Sequence, residues 1–170
     1  MLTSTIFSRF FATIFVLSLS AIPAHAQLLM QPNVSVSQAR LIIDTIITEC
    51  SRPGDLVTVT IAVVDRSGQP VMQVRADTAS LHNWELAYRK AYTARTFRRN
   101  SIDWRDLTAG DSELSGQRAL NHVVPLGGGA PIMVGDIAVG AVGVSGAGGG
   151  QAADTTCAEL GIAAIAGDLE

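Results

Sequence analysis

Hydrophobic positions change period along the chain, and each change marks an element. Leu41, Ile42, Thr45, Ile46 and Glu49 fall at helical spacing, with the apolar residues on one side. Ser35 or Ser37 is placed to cap that helix, Ser35 with Gln38 fits a capping box, and Pro53-Gly54 stops it. Val57 to Val64 is β-branched and alternates valine with threonine, which predicts a strand. Asp65-Arg66-Ser67-Gly68 has the residues a turn needs: an Asp to bond its own backbone and a Gly for positive φ. Gln69 to Ala76 returns as a second strand. Pro70 suits its start, where a missing ladder donor costs least.

Ala79 to Arg98 is rich in Ala, Leu, Arg and Lys and predicts a strong helix. Residues 99–119 are polar and mixed, with a short helix or loop around Trp104 and a turn near Ser115-Gly116. Residues 120–124 predict a strand, and Gly127 to Pro131 a loop. Ile132 to Val134 and Ile137 to Ser145 form a hairpin about Gly135-Asp136. Gly146 to Gly150 leads into a last helix near Ala152 to Ala166. Strands come as hairpins without strict βα alternation, which favours α+β with an antiparallel sheet over a doubly wound one.

Residues 1–26 stand apart as a cleaved signal peptide. Arg9 gives a positive start, Phe10 to Ile22 an apolar run, and Ala24-His25-Ala26 a small-x-small cleavage site before Gln27. The run is too short for the roughly 20 residues that span a bilayer. Residues 27–36 read as an extended leader and 37–170 as one domain. An exported, periplasmic or secreted protein follows, with no membrane span after cleavage.

Composition supports a globular chain: 48% of the 170 residues are hydrophobic, only 16% charged, and the net charge is −3. That excludes a disordered charged tail and gives no sign of a nucleic-acid partner. The two cysteines, Cys50 and Cys157, either pair in an oxidising compartment or are buried thiols in helices that never meet. No CxxC or HExxH occurs, and outside the signal only His82 and His122 remain, so a zinc site is not expected. One histidine still suffices to ligate haem iron.

The aromatic content of 5% sharpens once located. Beyond the signal it reduces to Trp84, Tyr88, Tyr92, Phe97 and Trp104. Trp84, Tyr88 and Tyr92 share one helix face; Ala87, Ala91 and Ala94 form a second, narrow one. The alanines suit close contact with a sheet. The aromatics suit a ligand, another helix or another subunit. Arg89, Lys90, Arg95, Arg98 and Arg99 crowd the same helix, where they meet its dipole or pair with carboxylates such as haem propionates. The glycines between Gly127 and Gly150 match neither a Walker loop nor G-x-G-x-x-G, and Ala147 spoils a nucleophile elbow at Ser145. Close packing is their plainer use.

AVVDRSGQPV (Ala62 to Val71), RKAYTARTF (Arg89 to Phe97), PLGGGAPI (Pro125 to Ile132), VGAVGVSGA (Val139 to Ala147) and Asp154 with Cys157-Ala158 occur in this order. Together they give a chain that resembles the haem-degrading, GlcG-like family, which includes HbpS-type haem-binding proteins. The resemblance implies a profilin-like α+β domain: a five-stranded antiparallel sheet with flanking helices. It also implies homo-oligomers and, for some members, haem binding or slow haem degradation. Lys90, Thr93 and Ala94 match the family's K-x-x-T-A core. Lys90, Tyr92 and Gly127, Gly128 and Gly129 become candidate cofactor-binding residues, and His82, which opens the helix, the candidate haem-iron ligand. An exported haem-binding protein is the expected function. The rivals are a periplasmic enzyme or accessory subunit acting on a small acid without haem, and an oligomeric assembly module.

Overall fold

The computed structural model describes residues 28–50 and 58–169. The chain divides into residues 1–30 and 31–170. Of the first unit only 28–30 are described, and they lie in no helix or strand. The signal peptide, Pro53-Gly54 and Val57 lie outside the described residues.

In the second unit, helix α1 (Val36–Cys50) begins with the capping box read from the sequence. The Ser35 N–H donates to Gln38 Oε1 at 2.9 Å and the Gln38 N–H to Ser35 Oγ at 3.2 Å. Strands β1 (Thr60–Asp65) and β2 (Pro70–Arg75) form the first hairpin. Its turn is held by Asp65, whose Oδ1 accepts from the N–H groups of Ser67 and Gln69 at 2.7 and 2.9 Å. Gly68 takes φ +78° there, a value that favours glycine. Helices α2 (Asn83–Phe97) and α3 (Ser101–Leu107) follow, then a 3₁₀ turn at Ser115–Ala119. Strands β3 (Gly129–Val134) and β4 (Ile137–Ser145) form the second hairpin, and α4 (Gly150–Ala163) is the last α-helix. Among the described residues no helix is long and apolar enough to cross a membrane.

The sheet is antiparallel with order β2-β1-β4-β3. It has four strands among the described residues, not the expected five. The stretch 120–124 pairs with no strand. The Val124 N–H donates instead to Thr93 Oγ1 at 2.9 Å, the Leu126 N–H turns back to the Val124 carbonyl, and His122 has φ +65°. Val123 and Val124 are nonetheless buried, so an apolar pair that reads as a strand is here a loop anchored on α2.

One sheet face carries the main core. Ile42, Ile43 and Ile46 of α1 and Ala158 of α4 meet Ile61, Val63, Ile132, Val142 and Val144. Cys50 and Cys157 are joined across this layer, linking the end of α1 to α4 with Cα atoms 6.1 Å apart. The opposite face receives α2 through Ala91 and Ala94, against Val64 and Ala141. Contact there is backbone-close. A Cβ on Gly143 meets the Ala87 carbonyl, and one on Gly129 meets the backbone of Lys90. The narrow alanine face and the strand glycines are two halves of one fit.

Candidate functional site

Helix α2 positions most of the residues singled out from the sequence, and it sends them in two directions. On the sheet side, Lys90 is 3% exposed. Its Nζ donates to Asp154 Oδ2 at 2.7 Å, the Val144 carbonyl at 3.0 Å and Ser145 Oγ at 3.4 Å. An ammonium has three protons, so this set saturates it. The second Asp154 oxygen accepts the Ala147 N–H at 2.9 Å, and Ser145 Oγ donates to Asn83. The triglycine closes around the same pair. A Cβ on Gly128 meets the Val144 carbonyl, Asp154 and the Lys90 stem; the Gly129 N–H donates to Ser101 Oγ and the Gly127 N–H to Gln151 Oε1. Lys90 and Gly127 to Gly129 are thus buried together, where they join α2, α3 and α4 to the sheet.

On the outward side, Tyr88, Tyr92 and His122 form a three-ring cluster, called the platform below, with the rings inclined to one another by 52°, 70° and 61°. Tyr92 and His122 lie 5.5 Å apart between ring centres, Tyr88 and His122 5.9 Å, and the two tyrosines 6.0 Å. Tyr92 is held from behind by the β1–β2 turn, where a Cβ on Gly68 is only 2.9 Å from its ring. Both tyrosines are half-buried and His122 is exposed, so the platform has an open side. Burial, then the neighbouring Tyr92, pushes the Tyr88 phenol above the usual tyrosine range.

Beside the platform is an open depression of about 490 Å³ lined by Glu85, Tyr88, Arg89, Asn121 and His122. Its volume falls in the range of small-molecule sites, roughly 300–1,000 Å³. Arg89 is fixed at its wall, donating from Nη2 to the Val123 carbonyl at 2.6 Å and from Nη1 to Glu85 at 3.1 Å. No group of three or more His, Cys, Asp or Glu is arranged to hold a metal among the described residues.

Of the two histidines, the structure brings His122 to this surface. His82 is exposed at the N-cap of α2 and lines none of the depression. Reading 120–124 as a strand hid this. The signal present was Asn121-His122, two types that tolerate the left-handed region a turn uses. Trp84 lies on the aromatic stripe but is 48% exposed and outside the ring cluster.

Comparison with known proteins adds to this geometry. The family described as "Haem degrading protein HbpS-like" matches residues 34–163. A 15.0 kDa protein of Citrobacter freundii, described as uncharacterized and from the dhaT-dhaS intergenic region, is 34% identical over 92 residues. That match covers 53% of this chain and 65% of the relative's length, just under two thirds. Among solved structures, a double mutant of Streptomyces reticuli HbpS superposes with TM-score 0.75 at 23% identity, over 86% of this chain and 98% of that one. A PduOC:heme complex gives TM-score 0.70 at 27% identity, over 78% of this chain and 95% of that one.

Proposed function

Because the chain belongs to the HbpS-like family of haem degrading proteins, we propose that it is an exported tetrapyrrole-binding protein that holds haem on the Tyr88–Tyr92–His122 platform. The observation that carries this is the open three-ring cluster with an exposed imidazole at its edge. A flat apolar macrocycle stacks on aromatic side chains, and one imidazole nitrogen ligates iron. His122 is the ligand in this reading, and His82 is its rival. Tyr92 is a pocket wall. Lys90 and Gly127 to Gly129 build the frame beneath and do not touch the ligand. Bound haem supplies the iron chemistry for any slow degradation; the chain's own part is to bind and orient.

The signal expected at 1–26 and the Cys50–Cys157 disulfide both suit an oxidising compartment outside the cytoplasm. Leu81, Trp84 and Leu120 are exposed at 84%, 48% and 53%, apolar surface that a second copy of the chain would cover in an oligomer. Hemin titration of the chain lacking residues 1–26, followed at the Soret band, tests the reading. We expect saturable binding, a shifted band and at least about tenfold weaker binding for His122→Ala, and no change for His82→Ala. The opposite pattern returns the ligand to His82. No saturable binding in any variant ends the tetrapyrrole reading.

A further inference from the structure

The aromatic stripe of α2 ends in cations that make no ion pair among the described residues. Arg95 continues the Trp84–Tyr88 line, three residues beyond Tyr92, or about 4.5 Å along the axis. Arg66 comes from the β1–β2 turn, the same turn whose Gly68 backs the Tyr92 ring. Arg98 follows at the helix end and sits in the left-handed region, φ +52°. Glycine is the usual residue there, so an arginine is held at a conformational cost. None of these three guanidinium groups makes an ion pair among the described residues. Two of their donors, Arg66 Nη1 and Arg95 Nε, are buried without an acceptor. Burial first, and then the charges of Arg66 and Arg98, push Arg95 below the usual guanidinium range, with Asp65 opposing. Asp65 is the one carboxylate that acts on Arg95 here; its Oδ1 accepts two turn N–H groups and it makes no ion pair with the three arginines among the described residues.

We infer that Arg66, Arg95 and Arg98 form an oxyanion site at the end of the platform, which takes the carboxylates on the edge of the bound ligand. Like charges gathered beside donors without acceptors are what a carboxylate or phosphate group completes, and guanidinium forks match its geometry. The identity of the carboxylates rests on the tetrapyrrole reading, because a haem seated on Tyr88, Tyr92 and His122 has an apolar body and an acidic edge. The arginine cluster itself does not rest on that reading.

The experiment compares hemin, hemin dimethyl ester and inorganic phosphate on wild type, Arg66→Gln/Arg95→Gln and the exposed single variant Arg98→Gln. Circular dichroism checks each fold. We expect the double variant to lose about ten- to hundredfold in hemin affinity, as for one or two charge-assisted bonds, and Arg98→Gln to lose less. The ester should bind wild type and variants alike. Equal hemin affinity in wild type and variants overturns the site while the tetrapyrrole reading stands. Should wild type bind no hemin but gain thermal stability from phosphate that the double variant does not gain, the oxyanion site stands and the tetrapyrrole reading fails. Loss of hemin and ester affinity by the same factor, or no response to either hemin or phosphate, overturns the site.

Discussion

The two sides of α2 carry similar residue types to opposite ends. Lys90 on the inner side has three acceptors and 3% exposure. Arg95 on the outer side has a buried Nε with no acceptor. The same helix holds one cation completed by the fold and another left incomplete among the described residues. Satisfied buried polar groups rigidify a core, whereas unsatisfied ones call for a further partner, whether water, an ion or a ligand. The difference supports the proposal that puts ligand chemistry on the outer side, with the triglycine and Lys90 in the frame.

The comparison breaks most sharply at Lys90. Lys90→Met leaves the Asp154 carboxylate buried and uncompensated, and should cost about 3–5 kcal/mol in urea unfolding. Lys90→Met/Asp154→Leu should recover much of that loss, since removing both charges ends the desolvation penalty. A double variant as unstable as the single one would mean that Lys90 is held for more than its pairing. Next in size is the close approach of α2 to the sheet. Gly143→Ala drives a methyl into the Ala87 carbonyl and should cost about 1–3 kcal/mol, read from the urea midpoint.

The outer side should yield smaller stability effects and larger ligand effects. Tyr92→Ala should cost about 1 kcal/mol, the scale of its ring contacts, while hemin binding falls at least about tenfold. A stability loss near that of Lys90→Met would place Tyr92 in the frame instead. Arg98→Gly should raise stability by about 1 kcal/mol, because glycine enters the left-handed region freely. If Arg98 serves the oxyanion site, the same variant binds hemin less well. The smallest effect concerns pH. Tyr88 is raised in the folded state, so its neutral burial stabilises below the ordinary tyrosine range and is lost as pH climbs through the raised value. Tyr88→Phe should flatten that alkaline fall.

Local chemistry made much of the fold legible. The Ser35–Gln38 box, the Asp65–Gly68 turn and the alanine face all depend on residues close in sequence, and each took the expected form. Long-range partners were not legible. Lys90 matched a family motif, but its acceptor Asp154 stands 64 positions away on another helix, and no spacing rule connects them. Val123-Val124 misled because buried apolar pairs look alike whether a strand or an anchored loop buries them. His82 opens the aromatic helix and is exposed at its N-cap, whereas the depression is lined by His122, which its place in the sequence did not single out. Arg66 reads as an ordinary turn residue, since its charge acts on Arg95 only once the turn that carries it, with Gly68 against Tyr92, packs on α2.

The Cys50–Cys157 bond also closes the chain into a covalent ring. All four strands, α2, α3 and the whole platform lie between those two cysteines. A single protease cut anywhere inside that interval opens the ring without releasing a fragment. The two pieces stay tethered at the layer where α1 meets α4. Wherever the disulfide stays oxidised, a nicked molecule therefore keeps both halves of the platform on one particle.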